Sequence, residues 1–319
     1  MLSYLSHRLA AAAFMIVIAG TFVFFIIHLL PGDPVMLLLG DGAADPEVVA
    51  TMRQKLQLDR PLHVQYIDWA GGVLRLDLGT SLQTDLPVVD DLARRIPRSL
   101  ELILAATLLS VLLGVPLGVV GGRHPDSPAG WATSTVAVMG FSSPVFVIGI
   151  VLIILFSLNL MWFPSSGYVP MTENPMAHFR FLVLPALTLG IGFMGVVIRI
   201  TRSSFMDVLS KDFVRTARAK GLSNPTVIYR HALLNSLIPV ISVLGVRIGN
   251  LLGGTVIIES LFDWPGLSSL LVRSCYDRDY PVIQGALLSI FVMFVLISLS
   301  VDLLQGLLDP KRRLGGKQG

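Results

Sequence analysis

Six stretches of this 319-residue chain, at about 9–30, 99–121, 132–158, 181–198, 236–258 and 282–303, are long and apolar enough to cross a lipid bilayer. A helix needs about 20 consecutive apolar residues to traverse the hydrocarbon core. Inside that core, every backbone N–H and C=O must find its partner within the protein. Six such runs predict an all-α integral membrane protein with six spanning helices. Composition agrees, with 53% hydrophobic and 14% charged residues, against roughly a quarter charged in soluble domains. The first run is too long for a signal-peptide core, and its Leu29-Leu30-Pro31-Gly32-Asp33-Pro34 exit has no small-x-small cleavage pattern, so it is expected to stay as a span. Cys275 is the only cysteine, so no disulfide can form within the chain.

The net charge of +3 is a topology signal rather than a nucleic-acid footprint. With the N-terminus placed inside, the inner segments 1–8, 122–131, 199–235 and 304–319 hold 13 Lys and Arg. The short outer loops 159–180 and 259–281 hold 3, namely Arg180, Arg273 and Arg278. Cytoplasmic loops carry the excess of Lys and Arg, so both termini are expected in the cytoplasm. Four regions follow: an N-terminal end with the first span (1–30), an outer helical segment (31–98), a five-helix core (99–308) and a basic tail (309–319). The outer segment opens with a Pro-Gly-Asp-Pro turn. Helical periodicity follows at Pro46 to Leu58 and Leu62 to Leu76, with Val64, Ile67 and Leu74 as candidate packing residues. A compact helical cap is expected there.

The longest inner loop, Arg199 to Asn235, also reads as helical. Lys211, Arg215 and Arg218, at i, i+4 and i+7, share one helical face. Ala217 and Gly221 make a small-residue notch open to another surface. The first helix is expected to stop at Gly221, with Asn224 as N-cap and Pro225 at the first position of a second helix. The result is a projecting elbow. Periodicity alone leaves two readings open, a docking elbow or a basic loop that touches anionic lipid.

Arg215-Thr216-Ala217-Arg218-Ala219-Lys220-Gly221-Leu222 resembles the EAA loop of the dipeptide, oligopeptide and nickel ABC-importer permeases. Arg215 and Thr216 stand where Glu and Ala would, as is usual in that branch. Other stretches resemble the same family in order: Leu76-Asp77-Leu78-Gly79-Thr80-Ser81 with Pro87-Val88, and Arg95-Ile96-Pro97-Arg98-Ser99-Leu100-Glu101-Leu102. Next come Phe163-Pro164-Ser165-Ser166-Gly167-Tyr168, Gly253 to Glu259, Phe262-Asp263-Trp264-Pro265-Gly266, Asp279-Tyr280-Pro281-Val282-Ile283-Gln284 and Asp309-Pro310-Lys311-Arg312. The resemblance implies a type I importer permease in a bacterial inner membrane. It implies as partners a homologous second permease, two cytoplasmic ATP-binding cassette subunits and an extracytoplasmic solute-binding protein, with membrane lipid around them. It assigns Lys211, Asp212, Arg215, Thr216, Ala217, Arg218, Gly221, Leu222 and His231 to the ATPase-coupling loop. Asp263, Trp264, Asp279 and Tyr280 become candidates to face the binding protein. Di- or oligopeptides are the expected cargo; nickel chelates, glutathione and certain sugars are the alternatives within the family.

The chain carries no Gly-x-x-x-x-Gly-Lys-Ser/Thr phosphate loop, since Gly316-Lys317 is followed by Gln318. ATP and magnesium are therefore expected in separate subunits, with no cofactor on this chain. No His-Glu-x-x-His, Gly-x-Ser-x-Gly or Gly-x-Gly-Asp motif supports an intramembrane enzyme. The histidines, His7, His28, His63, His124, His178 and His231, have no metal-ligand spacing. At membrane depth Arg247 stands out, with Asn250 three positions on. Such charges face a cavity or a partner, so the pair is a candidate for lining the translocation route or for structural pairing. Asp302, near the inner end of the last span, is poorly placed to neutralise Arg247 and reads as an interfacial residue. Gly245-x-x-x-Gly249-x-x-x-Gly253 is a small-residue repeat suited to close helix packing, between subunits or within one bundle.

Overall fold

The computed structural model of the chain describes residues 2–29, 35, 46–55 and 59–308. α1 (Leu2–Leu29) carries the first apolar run, and α2 (Pro46–Lys55) and α3 (Leu62–Leu74) form the segment that follows it. The Pro31–Pro34 turn and the tail 309–319 lie outside the described residues. Then come α4 (Val88–Arg123), α5 (Pro128–Ser142), and α6 (Val145–Leu152), which continues as π-helical turns to Asn159. α7 (Pro175–Leu209) and the short α8 (Asp212–Ala219) follow. Next, π-helical turns at Thr226–Leu233 run directly into α9 (Leu234–Leu261). α10 (Leu267–Asp277) and α11 (Tyr280–Leu308) complete the chain.

Five helices are long and apolar enough to cross a membrane, and α5 with α6, counted as one broken span, makes the sixth. The expected single helix over 132–158 is thus two, bent by 106°. Pro144 is the cause. A proline disfavours the helical region for the residue before it, and Ser143 is extended at φ −81°, ψ 131°. α4 and α7 also exceed their apolar runs. At 36 and 35 residues and 1.5 Å per residue they reach about 50 Å, against a hydrocarbon core of about 30 Å. The first eleven residues of the expected loop 199–235 are therefore the end of α7.

α4 and α7 run parallel and form the centre of the bundle. A Cβ on Gly114 would come within 2.8 Å of Val197, and one on Gly118 within 2.6 Å of Thr201, so only glycine lets the two backbones approach this closely. The Ser110 hydroxyl closes the same seam by donating to the Gly190 carbonyl at 2.8 Å. α9 packs antiparallel to α11 by the same device. A Cβ on Gly245 would collide with Val301, and one on Gly249 would lie 2.6 Å from Phe294. Two glycines of the repeat therefore work inside the bundle, whereas Gly253 and Gly254 have nothing within 4 Å of a Cβ position. α1 lies on α11, where Arg8 pairs with Asp302 at 2.8 Å, so Asp302 makes a helix-to-helix contact.

The expected packing residues of α3 need correction. Ile67 and Leu74 are exposed; Tyr66 and Trp69 make the contact instead, against Phe24 of α1 at ring-centroid distances of 5.3 and 5.6 Å. Period alone identified an apolar face but not which of the two apolar faces meets α1.

Overpacking a close helix seam costs about 1–3 kcal/mol. Gly249→Leu is therefore expected to lower the melting midpoint of the detergent-solubilised chain, while Gly253→Ala leaves it in place. Equal midpoints for the two variants would contradict the α9–α11 packing described.

Candidate functional site

Two groups of polar and charged residues stand apart from the apolar bundle: an elbow at one end of the spans and a buried network at the end that carries α3.

The elbow follows α7. Ser210 and Lys211 break the helix, and α8 restarts with Lys211 as its extended N-cap (φ −75°, ψ 149°). Lys211 therefore does not share a helical face with Arg215 and Arg218, as its spacing suggested. α8 ends in a Schellman motif: the Leu222 amide donates to the Ala217 carbonyl at 3.3 Å, and the Gly221 amide to Arg218 at 2.9 Å. Gly221 takes φ +75° there, a conformation that costs other residues about 1–2 kcal/mol. Its Cβ position has no neighbour within 4 Å, so within this chain glycine is required by the turn and not by crowding.

The next turn starts earlier than expected. The Ser223 carbonyl accepts from the Val227 amide at 3.1 Å, and its hydroxyl meets that of Thr226 at 2.8 Å. Asn224 is already helical, so Ser223 is the capping position. Val214 and Ala217 of α8 bury against Val227, with Val208 and Leu209 of α7 closing the cluster. The predicted Ala217–Gly221 notch thus splits: Ala217 faces inward, and Gly221 sits at the tip. Asp212, Arg215, Thr216, Arg218 and Leu222 are exposed, and His231 is half-buried. Arg215 makes only a 3.7 Å contact with Asp212, both side chains being largely solvated, and such pairs contribute little. The elbow is held by its apolar underside and presents a basic surface with Phe213 and Leu222 exposed beside it.

At the other end, the stretches that read as separate motifs meet. Glu259, closing α9, is fully buried. Its carboxylate accepts from the Ser99 hydroxyl of α4 and from the Ser269 amide of α10, each at 2.7 Å. Ser99 in turn accepts from the Leu267 amide at 2.7 Å. Gly266 leaves room for that carboxylate, since a Cβ there would strike it. A carboxylate at a helix N-terminus also meets the favourable end of the helix dipole. One side chain therefore joins α4, α9 and α10.

Three of the four residues expected to face a partner belong to this interior instead. Trp264 is buried, donates its indole N–H to the Arg98 carbonyl at 3.0 Å, and stacks edge-on with Tyr168 at 4.9 Å. Asp279 is buried and accepts from the Ser81 hydroxyl at 2.5 Å and the Leu82 amide at 3.2 Å. That pins the turn between Thr80 and Pro87. Tyr280 is buried beside it, and only Asp263 is exposed. Sequence spacing could not tell a polar residue aimed outward from one tied to a neighbour nearly 200 positions away.

Sequence reasoning also missed His178. Its Nδ1 sits 2.7 Å from the Val169 carbonyl, which can only accept, and its Nε2 lies 2.5 Å from Glu101. The ring thus bridges α4 and the loop before α7. The signal available was Glu101 itself, a lone carboxylate at the start of an apolar run. Arg247 and Asn250 are on α9, but their side chains lie outside the described residues. Among the described residues no His, Cys, Asp and Glu cluster could hold a metal ion.

Comparison with known proteins covers both ends of the molecule. Residues 114–314 match the family model described as binding-protein-dependent transport system inner membrane component, and residues 1–103 match the N-terminal model of such membrane components. The glutathione transport system permease protein GsiC of Salmonella typhimurium is 42% identical over 317 residues, covering 98% of this chain and 99% of the relative. The probable peptide ABC transporter permease protein y4tP of Sinorhizobium fredii is 37% identical, covering 97% and 99%. Among solved structures, the inward-facing MetNI methionine ABC transporter aligns with a TM-score of 0.55 at 15% identity, over 68% of this chain and 96% of that one. An amino acid ABC transporter gives 0.51 at 17% identity, over 68% and 94%. These two likenesses show the fold.

Glu259→Leu would strand the Ser99 hydroxyl and the Ser269 amide, and a buried donor without an acceptor costs about 1–3 kcal/mol. The variant is expected to melt well below the parent, whereas Asp263→Asn is expected to melt with it. A Glu259→Leu midpoint equal to the parent's would refute the role given to the carboxylate.

Proposed function

The chain belongs to the family of binding-protein-dependent transport system inner membrane components, and we propose that it is a pore subunit of an ATP-driven importer of di- or oligopeptides. It is a multi-pass membrane protein and a transporter subunit rather than an enzyme. The observation that carries the reading is the elbow: a solvent-facing turn seated on an apolar underside in an all-helical membrane bundle, built at the position of the EAA-like stretch. In this reading two ATP-binding cassette subunits receive the elbow and hydrolyse ATP with its magnesium. A homologous second permease completes the pore, and a solute-binding protein delivers cargo to the opposite face. Both termini and the elbow are cytoplasmic, consistent with an even number of crossings and with the Lys and Arg excess. On the outer face, Asp263 with the exposed Arg273 and Tyr276 of α10 is the surface offered to the binding protein. Closure of the ATPase pair moves the elbow and, through it, α9, exchanging inward- and outward-open states.

A peptide cargo is supported by y4tP, and a glutathione cargo by GsiC. Glutathione is itself a tripeptide, so both names are compatible with a peptide cargo. Uptake of labelled dipeptide, oligopeptide and glutathione by proteoliposomes of the whole complex distinguishes these cargoes.

Gly221→Asp tests the elbow. Its Cβ meets nothing in this chain, so insertion and membrane level are expected to stay normal. The substitution strains the turn and places a carboxylate at the tip. Since about 1.4 kcal/mol changes an equilibrium tenfold, uptake and substrate-stimulated ATP hydrolysis should be lost or the ATPase subunits released. Substrate binding by the binding protein should not change. Near-normal uptake at normal membrane level would overturn the coupling role.

Topology is tested at Cys275, exposed on α10. Local burial pushes its thiol above the usual range, and only the thiolate reacts. Labelling of spheroplasts by an impermeant maleimide is therefore expected to be slow near neutral pH and to accelerate as pH rises. A cysteine introduced by Ser223→Cys, in a Cys275→Ser background, should stay unlabelled from that side; its labelling would reverse the topology.

A further inference from the structure

α3 sits at an unexpected depth. The Tyr66 hydroxyl is 2.8 Å from the Thr21 hydroxyl of α1, and the Trp69 ring tip lies 3.7 Å from a Cβ on Gly20. Gly20 and Thr21 belong to the stretch Ser6–Phe25 that is apolar enough to cross a membrane. Gly20 stands five residues before the end of that stretch, about 7 Å into it at 1.5 Å per residue. α3 therefore lies beside the end of the first span and not above it.

The faces of α3 divide three ways. Tyr66 and Trp69 are occupied by α1. Ile67 and Leu74, seven residues apart and so on one side of the helix, are 64% and 87% exposed. Gln65 and Asp68 mark the remaining side, where Asp68 pairs with Arg60 at 2.7 Å. Asp68 is the only Asp, Glu, Lys or Arg between Leu62 and Leu74. Thirteen residues make a helix of about 20 Å, too short to cross a hydrocarbon core of about 30 Å.

We propose that α3 is an interfacial helix that lies in the headgroup layer of the outer leaflet, with Ile67 and Leu74 dipped into the acyl boundary. Its depth at α1 places those side chains at lipid level, its one acidic side chain is neutralised within the chain, and Tyr66 and Trp69 are the residue types favoured at that boundary. Phospholipid, rather than a binding protein or a second permease, covers the face. The proposal depends on α1 crossing the membrane and stands whatever the cargo.

The test uses the whole complex in nanodiscs, in a Cys275→Ser background, with an environment-sensitive fluorophore on Ile67→Cys, Leu74→Cys, Phe14→Cys or Thr84→Cys. Phe14 is exposed within the apolar stretch of α1, and Thr84 is exposed on the turn pinned by Asp279. Brominated phospholipid is expected to quench the probes at 67 and 74 to the extent seen at 14, with aqueous iodide quenching only the probe at 84. Iodide quenching at 67 and 74 without lipid quenching would overturn the proposal. Protection of both sites from both quenchers would overturn it too, and would assign the face to a protein partner.

Discussion

A peptide group in hydrocarbon has no water to bond, so a membrane-spanning chain must satisfy its own backbone before anything else. That requirement makes this protein a set of helices and decides where they may be interrupted. Among the described residues the one sharp break within a span, Ser143-Pro144, falls where α5 is seated closely on α7: Gly140 and Gly195 are so small that each backbone comes against the other. With helices satisfied internally, association between them rests on close packing and on scattered polar contacts. Glycine supplies the first at Gly114, Gly118, Gly245 and Gly249. Serine supplies much of the second, at Ser110 and Ser99.

Polar chemistry then collects at the two ends, and the ends differ in kind. On the side of α3 two carboxylates, Glu259 and Asp279, are buried and committed. Glu259 takes the Ser99 hydroxyl and Asp279 the Leu82 amide, each from an element far away in sequence, so the loops there are parts of one network. At the elbow the charges are solvated, and the shape is set underneath by Val214, Ala217 and Val227. A committed network suits a surface that keeps its form. Solvated charge on a firm apolar base suits a surface that another protein grips.

The helical architecture was readable because hydropathy is a property of runs, and a run of about 20 apolar residues has few alternatives. The elbow was readable as helix, glycine, helix for a related reason, since glycine is favoured at the positive-φ position that ends a helix. What escaped is what depends on pairing across the fold. Nothing in the neighbourhood of Trp264 or Asp279 says whether the side chain points outward or toward residue 98 or 81. Ala217 and Gly221 look equivalent in sequence, yet one faces α7 and the other solvent. Ile67 and Tyr66 are adjacent apolar residues, and only the position of α1 decides which of them is covered. The broken third span is an intermediate case: Pro144 was visible, but a proline inside an apolar run has two outcomes, as Pro97, Pro116, Pro185 and Pro239 remain inside continuous helices.

The π-helical turns Thr226–Leu233 pass into α9 without a loop, which makes elbow and span one mechanical member. A 28-residue helix is about 42 Å long, so tilting it by some five degrees about its elbow end would carry the far end roughly 3–4 Å by the same geometry. That far end is Glu259, and whatever it holds must travel with it. In the proposed coupling, so long an arm would turn a small rotation at the elbow into a larger sideways stroke at Glu259. Pro239 withholds one amide from the ladder near the elbow end of that arm.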